Sequence, residues 1–403
     1  MNYSKDEVIQ YVQEEDVKFI RLSFCDVLGK QKNIAIMPDE LPRAFEYGIS
    51  FDASAIAGFG DETHSDLLLH PEPETLMPLP WRPEHGRVVQ MISSITHPDG
   101  SPFVCDTRSL LKNAVAEAKK NGIEFTFGAE QEFYLFNLDE NGKPTCIPCD
   151  EAGYMDIAPE DHSENIRREI CLTLEQMGIR PESSHHEEGP GQNEIAFRFA
   201  DALLAADHAM TFRRVVRTVA HRNGMAADFS PKPLENMPGN GFHINVSPGP
   251  FTGDDVFSQM IAGILRNIRV MTAFLNPSEA SYKRLGSHKA PRYITWSPEN
   301  RSQLIRIPAA VGEYRRAELR SPDPAANPYL AFALMIYAGL DGIENRLPLC
   351  GPADFNLYTA GPEALSDLEK LPAALEEACD AASSSEFIKK HIPAGIISVC
   401  CRK

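Results

Sequence analysis

Apolar and polar positions alternate between residues 15 and 36. Val17, Phe19, Arg21 and Ser23 lead into a polar turn from Asp26 to Gly29, and the alternation resumes from Asn33 to Ile36. A period of two sends successive side chains to opposite faces, so this spacing predicts two strands joined by a turn, opening an N-terminal β-rich domain. Pro-rich sequence over 71–82 and the turn Pro98-Asp99-Gly100-Ser101 place the end of that domain near residue 103. The period then changes. Asp106 can cap a helix running to Gly122, Ser163 can cap another ending at Gly178, and a third amphipathic stretch covers Asp201 to Asn223. Short strand-like runs separate these helices. The expectation is two domains, 1–102 and 103–403, the larger a mixed α/β unit with helices covering a sheet and the chemistry on the open sheet face. The Ala/Ser/Glu-rich segment 371–386 reads as exposed helix.

A chain of 403 residues is long enough for two domains around one extensive core. With 39 basic and 57 acidic residues its formal charge is −18, which repels nucleic acid and anionic membranes, and no basic run offsets it. Met1 to Glu14 is polar and acidic, and eighteen apolar residues never run together, so neither a signal peptide nor a membrane span is expected and the chain reads as cytoplasmic. Nine cysteines point to free thiols in a reducing compartment. Cys146 and Cys149 form a C-x-x-C with no second pair and read as incidental loop cysteines.

Four blocks carry candidate chemistry. In Gly128-Ala129-Glu130-Gln131-Glu132-Phe133 a run that otherwise looks like a buried strand holds Glu130 and Glu132 on one face. Two like charges facing inward are costly unless a cation compensates them, although a solvated strand edge would show the same pattern. His185-His186-Glu187-Glu188-Gly189-Pro190-Gly191-Gln192-Asn193-Glu194 offers strand ends around a Gly-Pro-Gly turn, which can return Glu194 beside Glu187 or form a plain polar hairpin. Gly239-Asn240-Gly241-Phe242-His243-Ile244-Asn245-Val246-Ser247 is a glycine-rich loop entering a strand with His243, Asn245 and Ser247 on one face; a lone histidine is more often structural than a ligand. Arg316, Glu318 and Arg320 alternate on one side of a last strand, and Arg284, Arg301 and Arg306 precede it. Any one of these arginines suits an ordinary ion pair. Together, five glutamates and one histidine without cysteine favour Mg²⁺ or Mn²⁺ over zinc, and arginines beside paired metals suggest phosphoryl transfer.

In this order the blocks resemble the glutamine synthetase family. The likeness runs from about residue 15 to about residue 390, through FIRLSFCDVLGK, FDASAIAGF, GAEQEF, HHEEGPGQNE, GNGFHINVS, NPSEASYKRL, NRSQLIRIP and RRAELRSPDPAANPYLAFA. The resemblance implies an α+β fold, an N-terminal β-grasp domain followed by a catalytic domain whose antiparallel sheet lines the active site. It implies ATP and two Mg²⁺ or Mn²⁺ ions, with Glu132, Glu187 and Glu194 as ligands of the first ion and Glu130, His243 and Glu318 of the second. Arg284, Arg301, Arg320 and Gly239 look like contacts to glutamate and the γ-phosphoryl group. Arg306, Arg316, Phe199 and Ser247 look like contacts to the nucleotide, and Arg301, Glu318 and Arg320 are matched to the catalytic centre. Asp52 matches the aspartate that a neighbouring subunit contributes, so the resemblance implies a homo-oligomer, commonly a hexameric ring, with active sites between subunits. The implied reaction joins ammonia to glutamate through γ-glutamyl phosphate.

Several positions depart from the family pattern. The flap Arg284-Leu285-Gly286-Ser287-His288-Lys289-Ala290-Pro291 is one residue short, and Lys289 aligns with the glutamate that completes the ammonium site. Pro238 stands where asparagine is usual, Asn245 where a second histidine is frequent, and Glu313 where lysine is frequent. Tyr358 matches an adenylylated tyrosine without the residues that follow it, and Asp61 stands where an arginine serves feedback control, so neither form of regulation is expected. The tail after Ser398 is short, which predicts a single hexamer or a looser stack. Two other readings stand beside glutamate–ammonia ligation: a γ-glutamyl ligase whose acceptor is an organic amine or an amino acid held by Lys289, and a non-catalytic binding or assembly relative.

Overall fold

The computed structural model describes residues 3–82, 85–249, 253–310 and 312–402; the side chain of Glu313 lies outside the described residues. The first helix, α1 (Lys5–Glu14), starts at a capping box between Ser4 and Glu7 and buries Val8 and Val12. It leads into β1 (Val17–Cys25), β2 (Gln31–Ile36), α2 (Leu41–Tyr47), β3 (Ile49–Asp52), β4 (Asp66–Pro71), β5 (Met77–Pro78) and β6 (Arg87–Thr96). These strands form one sheet in the order β2-β1-β6-β4-β3, with β5 against β6. The predicted pair is there: β1 and β2 are antiparallel, with Ile20 opposite Ile36, while β1 and β6 are parallel.

The second unit begins with α3 (Thr107–Lys120), whose N-terminus is capped by Asp106 as expected. A 15-residue strand, β7 (Glu124–Leu138), follows, then β8 (Pro144–Pro148), α4 (Glu164–Gln176), β9 (Pro181–His186) and β10 (Gln192–Asp201). Next come α5 (Ala202–Arg222), β11 (Met225–Asp228), β12 (Phe242–Gly249), α6 (Asp254–Leu275), α7 (Glu279–Arg284), β13 (Trp296–Pro298), β14 (Ile305–Ile307), β15 (Ala317–Leu319) and α8 (Pro328–Glu344). Four short helices close the chain: α9 (Pro362–Leu365), α10 (Leu375–Ser384), α11 (Glu386–His391) and α12 (Ala394–Cys400).

The sheet runs β13-β14-β15-β12-β7-β10-β9, with β8 and β11 also on β7, and every pairing but β13–β14 is antiparallel. Along β7, Phe125, Phe127, Ala129, Gln131, Phe133 and Leu135 turn towards the helices. The Phe127 ring stacks on Phe332 of α8 with centroids 4.4 Å apart. That helix is apolar all round because other elements enclose it on every side. One apolar core runs from Val8 to Ile396 through both sheets and their helices.

Three expectations need correction. Ser163 precedes α4 but does not cap it; its hydroxyl is drawn into a buried network with Asp161, Asn193 and Arg167. Cys146 lies in strand β8 rather than in a loop, although all nine cysteines are free thiols as expected. Helix α10 is only half exposed, since Ala378, Cys379 and Ala382 pack inward.

Candidate active site

Strand register assembles the carboxylates. The alternation that sends Phe127 and Phe133 to the helices sends Glu130 and Glu132 to the opposite face of β7. There Glu130 lies across from His243 on β12, and Glu132 across from Glu194 on β10. One strand further out, Asn245 is paired with Glu318 on β15, which in turn faces Arg306 on β14. His243 Nδ1 stands 3.6 Å from a Glu130 oxygen and 3.7 Å from Glu318, and its Nε2 is 3.9 Å from Glu132. Glycine permits this crowding. A Cβ on Gly241 would lie 2.6 Å from His243 Nε2, and one on Gly239 would lie 2.4 Å from the Pro231 carbonyl oxygen. The Gly241 N–H donates to Glu132 at 2.6 Å.

Of the two arrangements open to the β9–β10 hairpin, the chain adopts the one that brings Glu187 beside Glu194: the Glu187 N–H bonds the Gln192 carbonyl at 2.8 Å, and His185 lies opposite Glu194. Three residues that sequence reasoning did not assign complete this part. The His185 ring is 2.9 Å from a Glu187 oxygen. His186, fully buried, is held between the Glu187 carbonyl at 2.7 Å and Asp150 at 3.0 Å. Asp150 also accepts from the Gly191 N–H at 2.8 Å, so one carboxylate pins both ends of the turn. The adjoining His185-His186 was the only local signal; Asp150 arrives from 36 residues away.

Burial and mutual repulsion shape the charges. Burial, followed by the charges of Glu130, Glu132, Glu187 and Glu318, pushes the Glu194 carboxyl well above the usual carboxylate range. Glu132 is likewise raised by burial, against the pull of His243. Burial raises Glu130 too, yet the hydrogen bond and charge of His243, with Asn245 and Arg316, outweigh it and hold the carboxyl down to about 2. Glu187 also sits below its ordinary value, burial being outweighed by His185. Among the described residues Glu194 has no hydrogen-bonding partner for its carboxylate. Oxygen atoms of Glu130 and Glu194 lie within 4.8 Å of a His243 nitrogen and of each other, and those of Glu187 and Glu194 are disposed in the same way around His185. An orphaned carboxylate among carboxylates, all oxygen donors with one or two imidazoles, fits hard divalent cations. A third acid–histidine group, Asp150, Asp161 and His186, is saturated by internal hydrogen bonds.

Arginines line the same cleft, a cavity of about 570 Å³ walled by Glu130, Glu132, Glu187, Glu194, His243, Gly239, Arg284, Arg301, Arg306, Arg316, Arg320 and Lys289. Arg306 and Arg320 both bond Glu318, at 2.7 and 3.2 Å. Arg284, fully buried, donates to the Ser321 carbonyl at 2.7 Å. Asn245, one of the departures from the family pattern, donates to Glu130 at 2.8 Å and accepts from Arg316 at 2.9 Å. Phe199 and Ser247 line an adjoining pocket with Tyr314, which shares Glu130 and Arg316 with the cleft. Arg306 lies in the cleft and not in that aromatic pocket. Asp52 lines neither cavity; exposed at the end of β3, it accepts from the Ser54 N–H at 2.9 Å. Lys289 reaches the cleft wall and is ion-paired with Glu188.

Comparison with known proteins decides the family. The glutamine synthetase catalytic domain matches residues 104–401, and the glutamine synthetase β-grasp domain matches residues 16–98. The chain belongs to the glutamine synthetase family. A glutamine synthetase of Methanosarcina mazei is 44% identical over 98% of this chain and 92% of its own length. One from Clostridium saccharobutylicum is 43% identical over 97% of this chain and 91% of its own. Among solved structures, GmaS in complex with ADP superposes with a TM-score of 0.89 at 29% identity, covering 99% of this chain and 94% of that one. The Plasmodium falciparum glutamine synthetase, at 24% identity and a TM-score of 0.87 over 100% of this chain and 95% of that one, shares the fold. The architecture is thus a β-grasp domain followed by the glutamine synthetase catalytic domain. The family uses ATP and divalent metal, and the acid–histidine groups of the cleft suit such a metal. Among the described residues no helix is long and apolar enough to cross a membrane.

Proposed function

We infer that this chain is an ATP-dependent glutamate–ammonia ligase, a glutamine synthetase acting through γ-glutamyl phosphate. The observation that carries it is the convergence of Glu130, Glu132, Glu187, Glu194 and His243 with five arginines in one cleft that opens into an aromatic pocket, with Glu318 behind it bonded to Arg306 and Arg320. The chemistry of the donor set supports two ions, Mg²⁺ or Mn²⁺: Glu132, Glu187 and Glu194 around one, Glu130, His243 and Glu318 around the other. When bound, such ions neutralise the oxygens of the transferred phosphoryl group and orient it.

The chain's own residues do the rest. Phe199 and Ser247 take the nucleotide in the adjoining pocket, and Arg316, steadied by Asn245, points its charge at the phosphates. Gly239, Arg284, Arg301 and Arg320 hold glutamate with its γ-carboxylate near Glu318. A γ-carboxylate oxygen attacks the γ-phosphorus, the bond to the ADP oxygen breaks, and Arg306 and Arg320 stabilise the charge on the moving group. Ammonium then gives up a proton to a carboxylate of the cleft, its nitrogen attacks the acyl carbon, and phosphate leaves. Arginines already tied to Glu318 spend little on reorganisation as that charge develops.

Residues 1–102 and 103–403 serve as the two domains. Asp52, which does not line its own chain's cleft, completes the site of a neighbouring subunit in a cytoplasmic homo-oligomer, with a hexameric ring as the minimal assembly. A ligase whose amino-acid acceptor is held by Lys289 has less support, because Glu188 already engages that lysine. The deciding experiment is phosphate release from Mg-ATP and glutamate with no acceptor, ammonium, hydroxylamine, or a panel of amines and amino acids. Strong stimulation by ammonium is expected. Stimulation by an amino acid alone would transfer the assignment to a different γ-glutamyl ligase.

A further inference from the structure

Resting on the ligase reading, we propose that Glu188 and Lys289 form a specificity-determining charge pair at the acceptor end of the cleft. Glu188, from the hairpin, supplies the negative charge that the flap lacks. By cancelling Lys289 it keeps the entrance open to a small cation such as ammonium and closed to amines that carry a carboxylate.

The position of this end follows from the cavities. The aromatic pocket joins the cleft through Glu130, Glu182, Ala196 and Arg316, so a nucleotide enters from that side. The carboxylate cluster fills the middle. An amine therefore arrives from the remaining side, where Tyr154, Glu187, Glu188, His288 and Lys289 form the wall. The flap there is tightly shaped. Gly286 and His288 both adopt positive φ, +82° and +48°, and the Ser287 hydroxyl returns to the Arg284 carbonyl at 2.7 Å. Left-handed backbone at two of three residues turns the Lys289 side chain back over the hairpin.

On the hairpin, the Lys289 ammonium meets the Glu188 carboxylate and lies 5.6 Å from the centre of the Tyr154 ring. Tyr154 stands edge-on to His185 with centroids 5.4 Å apart, and His185 bonds Glu187. An unbroken series of contacts thus runs from the flap to a carboxylate of the metal cluster. The neighbouring Lys232 donates to the Met237 carbonyl at 2.6 Å and to the Ser287 hydroxyl of the flap at 3.4 Å, and makes no ion pair with Glu188. Both members of the pair are partly exposed, with 54% of the Lys289 and 32% of the Glu188 side-chain surface accessible, so the pair adds little to folding stability. Its effect is on the local field. A lysine left alone about 4 Å from an entering ammonium would weaken its binding on the order of 10-fold at the nearly aqueous dielectric of this open end of the cleft.

The test is steady-state kinetics of the assembled enzyme with the variants Glu188→Ala, Glu188→Lys, Lys289→Glu and the exchange Glu188→Lys/Lys289→Glu, with thermal melting as a folding control. Glu188→Ala is expected to raise KM for ammonium roughly 10-fold, leaving KM for ATP and glutamate within about twofold. Glu188→Lys should raise it further. The exchange, which returns an acid to the flap, should restore it to within about threefold of wild type. A Glu188→Ala enzyme with unchanged ammonium KM, an exchange no better than Glu188→Lys alone, or losses that track a fall in melting temperature would each overturn the pair's role. A wild type that turns over with a carboxylate-bearing amine and not with ammonium would overturn the ligase reading and this inference together, a different result from an active wild type with indifferent variants.

Discussion

Glu194 faces four other carboxylates without a hydrogen-bond partner, so in the metal-free protein it is a source of strain. Replacing it with glutamine removes the repulsion while nearly preserving shape. The Glu194→Gln protein should melt higher than wild type without metal, by about 1–2 kcal/mol of stability, and gain less when Mg²⁺ or Mn²⁺ is added. Melting curves with and without each ion decide this, and an equal metal-induced gain in both proteins would remove Glu194 from the proposed ligand set. Asn245 joins two functions, since it holds Glu130 with its amide nitrogen and Arg316 with its oxygen. Asn245→Ala releases both and should raise KM for ATP roughly 10-fold, the value of one or two hydrogen bonds at a charged site. Kinetics with ATP varied would show it. The motifs made Glu130, Glu132, His243 and Glu318 visible at this scale. Asp150, Glu188 as a partner, and His186 as a prop were not, because each acts through a contact made only when distant segments meet.

At the scale of elements, helix packing behind the sheet depends on absent side chains. Helices α6 and α8 cross so closely that a Cβ on Gly263 would lie 2.1 Å from the Ala338 carbonyl oxygen, and one on Gly342 would lie 2.0 Å from that of Gln259. Backbone cannot yield to a new methyl group, so Gly263→Ala forces the helices apart. It should lower stability by about 1–3 kcal/mol while leaving KM for glutamate and ATP unchanged in the protein that remains folded. A denaturant titration with parallel kinetics tests both halves. The alternation in β7 and the cap of α3 were legible because they are local. The strand order β15-β12-β7-β10 was not. Alternation shows that Glu132 and Glu194 each face one side, but only their pairing across β7 and β10 makes them neighbours.

For the whole molecule, the two sheets are fastened by a buried ionic group. Arg108 of α3 grips Asp207 of α5 through two bonds of 2.8 Å and Glu72 of the N-terminal sheet region at 2.6 Å; Lys112 also pairs with Glu72, and Tyr329 of α8 donates to Asp207 at 2.7 Å. Arg108→Met leaves buried Asp207 without its cation and Glu72 with Lys112 alone, and should cost about 3–5 kcal/mol. Burial raises the Glu72 carboxyl, but Arg108 and Lys112 more than offset this and hold it below its ordinary value. A depressed folded-state value means Glu72 contributes stability above the ordinary carboxylate range, and this is lost as pH falls through that lower value. Glu72→Gln should therefore flatten the acid limb of the stability curve relative to wild type, measured by chemical denaturation between neutral and acidic pH. An unchanged limb would show that Glu72 does not couple folding to protons.

The family, the local elements and the chemical kind of the site were legible in the chain alone. Those rest on residue type, spacing and period, which act over a few neighbours along the chain. The fold settled which carboxylates stand side by side, that Asn245 ties Glu130 to Arg316, that Arg108 joins the two sheets, and that Lys289 meets an acid. These depend on register and on contacts between residues up to a hundred or more positions apart, and the energy of a charge is set by whatever the fold places beside it.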